Sequence, residues 1–288
     1  MVILNTLAKY SDENGNRIIY DGRAIPNVRI EFSGSGNSFR VRSGVLLGKL
    51  NVVFDCDNGV LDMAGNSFGT FSAFIRIGQD SRVILGKELT TTNTCVISAV
   101  EGTSVVIGDD VMLASDNEIR ADDGHAIFDV ITDRRVNWSR DITIGNHVWV
   151  AKRAVLLGGA RVADGSVIGF GSLVTGPVPN NSVAAGVPAR VIKRNVAWER
   201  PHLSRTRPFY KPDASTVAKS AYWDKTEDQE PDVPFVALYE SNGATFAVSF
   251  ASESAAHRWS DCYCTSARIV PVIRQDEASR QLDSHPGA

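Results

Sequence analysis

Of the five histidines in this 288-residue chain, His125 has the surroundings that proton transfer needs. It stands in RADDGHAIFD, with Asp122, Asp123 and Gly124 before it and Asp129 after it. An imidazole has an unperturbed pKa of about 6.5, near working pH, so a positioned histidine can take a hydroxyl proton as the oxygen attacks an electrophile. One of the three carboxylates could orient the ring. Spacing does not choose among them, and acids in such loops also cap turns. His147 lies further on in IGNHVW, two residues before Trp149. Arg190, Lys193 and Arg194 gather positive charge suited to phosphate oxygens, and Lys152 with Arg153 forms a second basic pair. Cys56, Cys95, Cys262 and Cys264 lack the spacing of a zinc site and are too few for a disulfide framework, so free thiols and no metal are expected.

A sixfold repeat positions these residues. Ile144, Val150, Leu156, Val162, Ile168 and Val174 recur at every sixth place. A second place of each hexad is small or aliphatic: Val148, Ala154, Ala160, Ser166, Ser172 and Val178. Neither a helix, with a period near 3.6, nor a flat strand, with a period of 2, repeats both places in sixes. A three-sided coil does: each hexad is a short strand plus a corner, and successive turns stack about 4.8 Å apart. His147 then falls at an outward-facing corner, where a structural role is the better reading. Trp149 is too large for the coil interior and belongs on its surface, where plain packing is the alternative to a role in a site.

An earlier series in another phase runs Phe71, Ile77, Val83, Leu89, Cys95, Ile107, Leu113 and Ile119, with Glu101 as its one break and Gly78 and Gly108 among its companions. Between the two series, residues 120–143 fit no hexad. Long excursions from compact repeats are uncommon unless functional, and this one carries His125. Residues 25–70 alternate apolar residues with Gly and Asn, as less regular starting turns would, after a lead segment at 1–24. The GSG at 34–36 has no following helix pattern and reads as a turn. After Pro188 the repeat stops. Residues 199–232 are expected to cap the coil and then link to a small α+β appendage at 233–275. In that appendage a hairpin turns at Asn242 and Gly243, followed by a short helix (ASESAAHRWSDCY) and a strand (ARIVPVI). The tail, 276–288, has the composition of a disordered end.

Composition narrows the classes of function. The formal net charge of -3, with 43% hydrophobic residues, argues against a broad nucleic-acid footprint. The first residues, MVILNTLAKYSDENG, have neither a secretory signal nor the apolar length of a membrane span, so a cytoplasmic protein is expected.

The hexads of DITIGNHVWVAKRAVLLGGARVADGSVIGFGSLVTGPVPNNSVAAGVPARVI, with DGHAIFD before IGNHVW, resemble the hexapeptide-repeat acyltransferases, in particular their capsular-polysaccharide and sugar O-acetyltransferase branch. The resemblance covers residues 71–200 well and says nothing of 201–288. It implies a mainly β fold, a left-handed parallel β-helix over 25–198, and a homotrimer with sites between neighbouring subunits. Acetyl-CoA or another acyl-CoA would be the donor, and a sugar or polysaccharide hydroxyl the acceptor. His125 occupies the place of the family's catalytic histidine. Trp149 would help shape the acyl and cofactor site, Gly169, Gly171 and Ser172 would leave backbone accessible to the pantetheine arm, and Arg190, Lys193 and Arg194 would meet the phosphates. N-acylation of an amino sugar, or a non-catalytic scaffold, are the alternatives. A zinc carbonic anhydrase of similar fold would need three converging histidines, and the repeat region offers two. Serine acetylation lacks its extended helical N-terminal domain.

Overall fold

The computed structural model describes residues 1–42, 44–202 and 217–227, and the segments Phe235–Ser241, Ala244–Phe250 and Arg268–Pro271. Residues 1–229 form one compact unit and 230–288 another.

The first unit is a left-handed parallel β-helix with three sheets as its sides. Sheet one has eight strands and includes Phe71–Ile77, Cys95–Ala99, Glu118–Arg120 and Val155–Leu157. Sheet two has nine, including Arg82–Leu85, Ser104–Ile107 and Ile142–Ile144. Sheet three has six, among them Trp149–Val150, Val167–Ile168, Ser182–Gly186 and Ala189–Arg194. Both repeating places of the hexads point inward: Val150, Leu156 and Ile168 are fully buried, and so are Val148, Ala154, Ala160 and Ser166. The period of six thus records one inward strand residue and one corner residue per side. At the corners, strand stacks on strand so closely that a Cβ at Gly108 would lie 2.7 Å from the Gly145 carbonyl carbon, which explains the glycine there.

The early turns are wider. Val60 pairs with Arg82, whereas later Thr143 pairs with Arg161, so a full turn shortens by several residues along the coil. Side-chain size follows the same trend: the early interior is filled by Phe32, Phe39, Phe54 and Phe71, with Tyr10, Phe32 and Phe54 stacked 5.9 and 5.0 Å apart. The lead segment is continuous with the coil, because Arg17–Ile19 already pair in parallel with Ser38–Arg40. The excursion leaves after Arg120 in sheet one and returns at Ile142 in sheet two, yet Glu118 still pairs with Val155 and Val105 with Ile142. Register is kept across the insertion.

Residues 195–202 and 217–227 fold back on the last turns. Asn181 Nδ2 donates to the carbonyls of Val196 (3.0 Å) and Tyr222 (2.6 Å), and the Thr226 hydroxyl donates to Asn181 O (2.7 Å). The remainder of the expected cap and linker, 203–216 and 228–232, lies outside the described residues. In the second unit, Phe235–Ser241 pairs antiparallel with Ala244–Phe250 and with Arg268–Pro271. The first pairing brackets the expected turn at Asn242 and Gly243. The expected short helix, Cys262, Cys264 and the tail lie outside the described residues.

Candidate active site

His125 is exposed on the excursion and lines a cleft at the corner between sheets one and two. Asp55, Cys56, Arg76, Glu101, Asp122, Arg135 and Ser139 line it as well. The excursion carries a short hairpin, Phe128–Asp129 against Arg134–Arg135. Its tip is apolar and open: Val130 and Ile131 are 91% and 90% exposed.

The geometry separates the three carboxylates that the sequence leaves equivalent. Asp129 caps the hairpin turn by accepting from the N–H groups of Ile131 and Thr132, both 2.9 Å, which hold its carboxyl below the usual range. Asp123 accepts from Asn137 Nδ2 at 2.9 Å. Asp122 is buried; Ser98 Oγ donates to its Oδ2 at 2.6 Å, while Oδ1 has no hydrogen-bond partner and lies 4.0 Å from Arg76 Nη1. A buried carboxylate oxygen without a donor is uncommon in native structures. Asp122 is therefore the acid of the three that is buried in the cleft wall. Cys56, at the same cleft, has its thiol pKa raised by burial and then by the Asp55 charge, so it is poorly suited to act as a thiolate.

His147 does face out of the coil, but it is covered. Its ring is buried between Trp198 and Tyr222, with centroids 4.2 and 4.8 Å away and planes nearly parallel. Nδ1 lies 2.6 Å from Asp110 Oδ2 and Nε2 lies 2.9 Å from the Trp198 carbonyl, so both ring nitrogens are engaged. Arg200 Nε also donates to Asp110, and Trp198 Nε1 returns a bond to the His147 carbonyl at 2.8 Å. The environment of this outward corner residue is an interior one.

Trp149 stands on the outer face of sheet three, 36% exposed and 6.0 Å from Trp198. It belongs to a row across the strands that continues from Trp149 to Val167, Val183 and Lys193. Directly opposed residues share a side of the sheet, so Lys193 shares Trp149's side, about 14 Å away at three strand spacings. Arg190, opposite Ala185, lies on that side too, whereas Arg194 is opposite Ser182 and lies on the other. The expected basic trio is thus split. At the expected pantetheine contacts, the N–H groups of Gly169, Gly171 and Ser172 donate to Ala184 O, Lys152 O and Gly169 O within the coil. The Ser172 hydroxyl donates to Gly169 O at 2.7 Å and is itself buried. All three N–H groups are thus engaged by the coil itself. Phe170 between them, 66% exposed, is the outward group that the sequence reading missed.

Among the described residues, no group of three or more His, Cys, Asp or Glu is placed to hold a metal ion, and no helix is long and apolar enough to cross a membrane. Within one chain, the His125 cleft lies at the corner of sheets one and two, and the Trp149 row lies on sheet three.

This coil, with a histidine-bearing excursion, defines a hexapeptide-repeat transferase, and residues 141–176 match the bacterial transferase hexapeptide (six repeats) family model. The chain belongs to the hexapeptide-repeat acyltransferase family: the solved structure of the polySia-specific acetyltransferase NeuO is 34% identical, with a TM-score of 0.56, over 65% of this chain and 83% of that one. The polysialic acid O-acetyltransferase of Escherichia coli O1:K1 / APEC is 38% identical over 120 residues, 42% of this chain and 39% of the relative. The galactoside O-acetyltransferase of Escherichia coli (strain K12) is 41% identical over 97 residues, 34% of this chain and 47% of the relative. The chain therefore spans less than half the length of these two curated relatives.

Proposed function

We propose that this protein is an acyl-CoA-dependent O-acetyltransferase that acts on a sugar or polysaccharide hydroxyl, with His125 as general base. The observation that carries the reading is the placement of an exposed histidine over a cleft lined by acids and arginines, on an excursion from a transferase-type coil. The acceptor oxygen attacks the thioester carbonyl as the imidazole takes its proton. The tetrahedral adduct then collapses, expelling the coenzyme A thiolate, which receives that proton from the imidazolium. Oligosialic acid and β-galactosides, after the names of the relatives, are the first acceptors to assay with acetyl-CoA. No acetyl transfer to any sugar would remove the reading.

The site is completed by a second copy of the chain. The His125 cleft and the Trp149–Lys193 row lie on different sides of one coil, and among the described residues the apolar hairpin tip is left exposed. A homotrimer would bring one subunit's loop to another's sheet three. Light scattering is expected to give three times the chain mass of 31.2 kDa, and a fully active monomer would exclude this arrangement.

Arg190 and Lys193, on Trp149's side, are the residues to meet the phosphates of the donor. Replacing each with Ala is expected to weaken coenzyme A binding about tenfold, or roughly 1.4 kcal/mol, while Arg194→Ala has a smaller effect. Calorimetry decides it: equal losses at all three positions would contradict the split.

A further inference from the structure

Glu101 is the one break in the earlier aliphatic series, and the fold places it at the root of the excursion. Its backbone turns a corner at φ 56, fixed on either side by coil hydrogen bonds: Gly102 N donates to Gln79 O (2.9 Å), and Thr103 N to Val100 O (3.2 Å). From this base the carboxylate accepts both ends of the Arg135 guanidinium, at 2.6 and 3.0 Å, and the Ser139 hydroxyl at 2.6 Å. Arg135 packs its guanidinium 4.4 Å over the Trp138 ring and donates to Asn137 through Nη2 to the carbonyl (3.2 Å) and Nε to Oδ1 (3.3 Å). Asn137 in turn donates from Nδ2 to the His125 carbonyl at 2.8 Å, and its Oδ1 accepts from Ile127 N at 2.7 Å. An unbroken set of hydrogen bonds therefore runs from the coil to the backbone of His125.

We propose that Glu101, acting through Arg135 and Asn137, is a positioning residue that fixes where His125 stands over the cleft. This inference rests on the reading of His125 as the base. Magnitudes separate positioning from bulk stability. Glu101 is partly open to water, and an ion pair of that kind adds little to global stability. A bidentate fork, by contrast, specifies an orientation, and a base displaced by about 1 Å can lose on the order of 10²-fold in rate. Burial alone would raise the Glu101 pKa; the Arg135 and Ser139 hydrogen bonds and the Arg135 charge outweigh it and hold the carboxyl below its usual range, so the clamp is charged at neutral pH.

The test uses the full chain with acetyl-CoA and the acceptor, oligosialic acid or a β-galactoside, that turns over. Glu101→Ala is expected to lower kcat about 10- to 100-fold and to leave the KM for acetyl-CoA nearly unchanged. Glu101→Gln, which can still accept hydrogen bonds, should recover part of the loss. The decisive arm is the same substitution in a His125→Ala background, where no further loss is expected, because the residue works through His125. Amide exchange at Ile127 and Val136 should quicken in Glu101→Ala. Native kcat in Glu101→Ala overturns the proposal, as does an equal proportional loss in the His125→Ala background. Native turnover in His125→Ala would remove the base and the relay together, whereas a slow His125→Ala beside an unaffected Glu101→Ala removes the relay alone.

Discussion

His125→Ala should lower turnover by about 10²- to 10⁴-fold, or roughly 3 to 5 kcal/mol in activation free energy, with the acceptor saturating. The side chain is exposed on the excursion, apart from the buried hexads, so its loss should leave the coil, the assembly and coenzyme A affinity as they are. Circular dichroism and calorimetry on the variant supply those controls. Of the neighbouring groups, the Cys56 thiol is pushed up by burial and the Asp55 charge, and Asp123 and Asp129 hold the loop. Near-native turnover in the variant would end the proposed mechanism even though the fold stands.

His147→Ala has a different target. It removes a ring stacked between Trp198 and Tyr222 and leaves the Trp198 carbonyl and one Asp110 oxygen without their partner. Lost stacking and two lost hydrogen bonds, one of them to a carboxylate, suggest a stability decrease of about 2 to 4 kcal/mol. The decrease should be local at first, because Trp198 and Tyr222 belong to the segments folded back on the last turns. Limited proteolysis within 195–202 and 217–227 should quicken before the coil itself unfolds, and the melting temperature should fall. An unchanged melting temperature with unchanged cleavage would show that the sandwich contributes nothing measurable.

How far the sequence could be read depended on whether a residue's partners repeat. Leu156 and Ala160 each do in their turn what their counterparts do in the next, so a period of six announces the interior directly. Before the excursion a turn advances 22 residues, as Val60 pairs with Arg82, Ala73 with Cys95 and Val96 with Glu118, so neither the first seventy residues nor the 71–119 series stacks three hexads to a turn. His125 stood out by its place in a non-repeating stretch. Glu101 was visible only as an irregularity, since its partners Arg135 and Ser139 lie on the far side of the hairpin. The covering of His147 was hidden for a similar reason: Trp198 and Tyr222 come from beyond the repeat, and no local pattern links them to an outward corner. The split of Arg190 and Lys193 from Arg194 follows from a register shift beside Val183, which the composition of that strand does not reveal.

A stack of parallel strands is in principle a template for its own extension, since each open end presents the edge on which another copy could grow in register. Here strand direction reverses at both ends. Val2–Leu7 runs antiparallel to Ile25–Phe32, and Ala189–Arg194 runs antiparallel to Ser182–Gly186. The hydrogen-bond spacing of an antiparallel edge does not match that of the parallel turns behind it. Sheet two ends on a strand opened by Pro177, which has no N–H to offer. Lys193 and the arginines on the last strand of sheet three add charge to that edge. Reversed strands at the head of sheet one and the foot of sheet three thus work against end-to-end growth at those two edges.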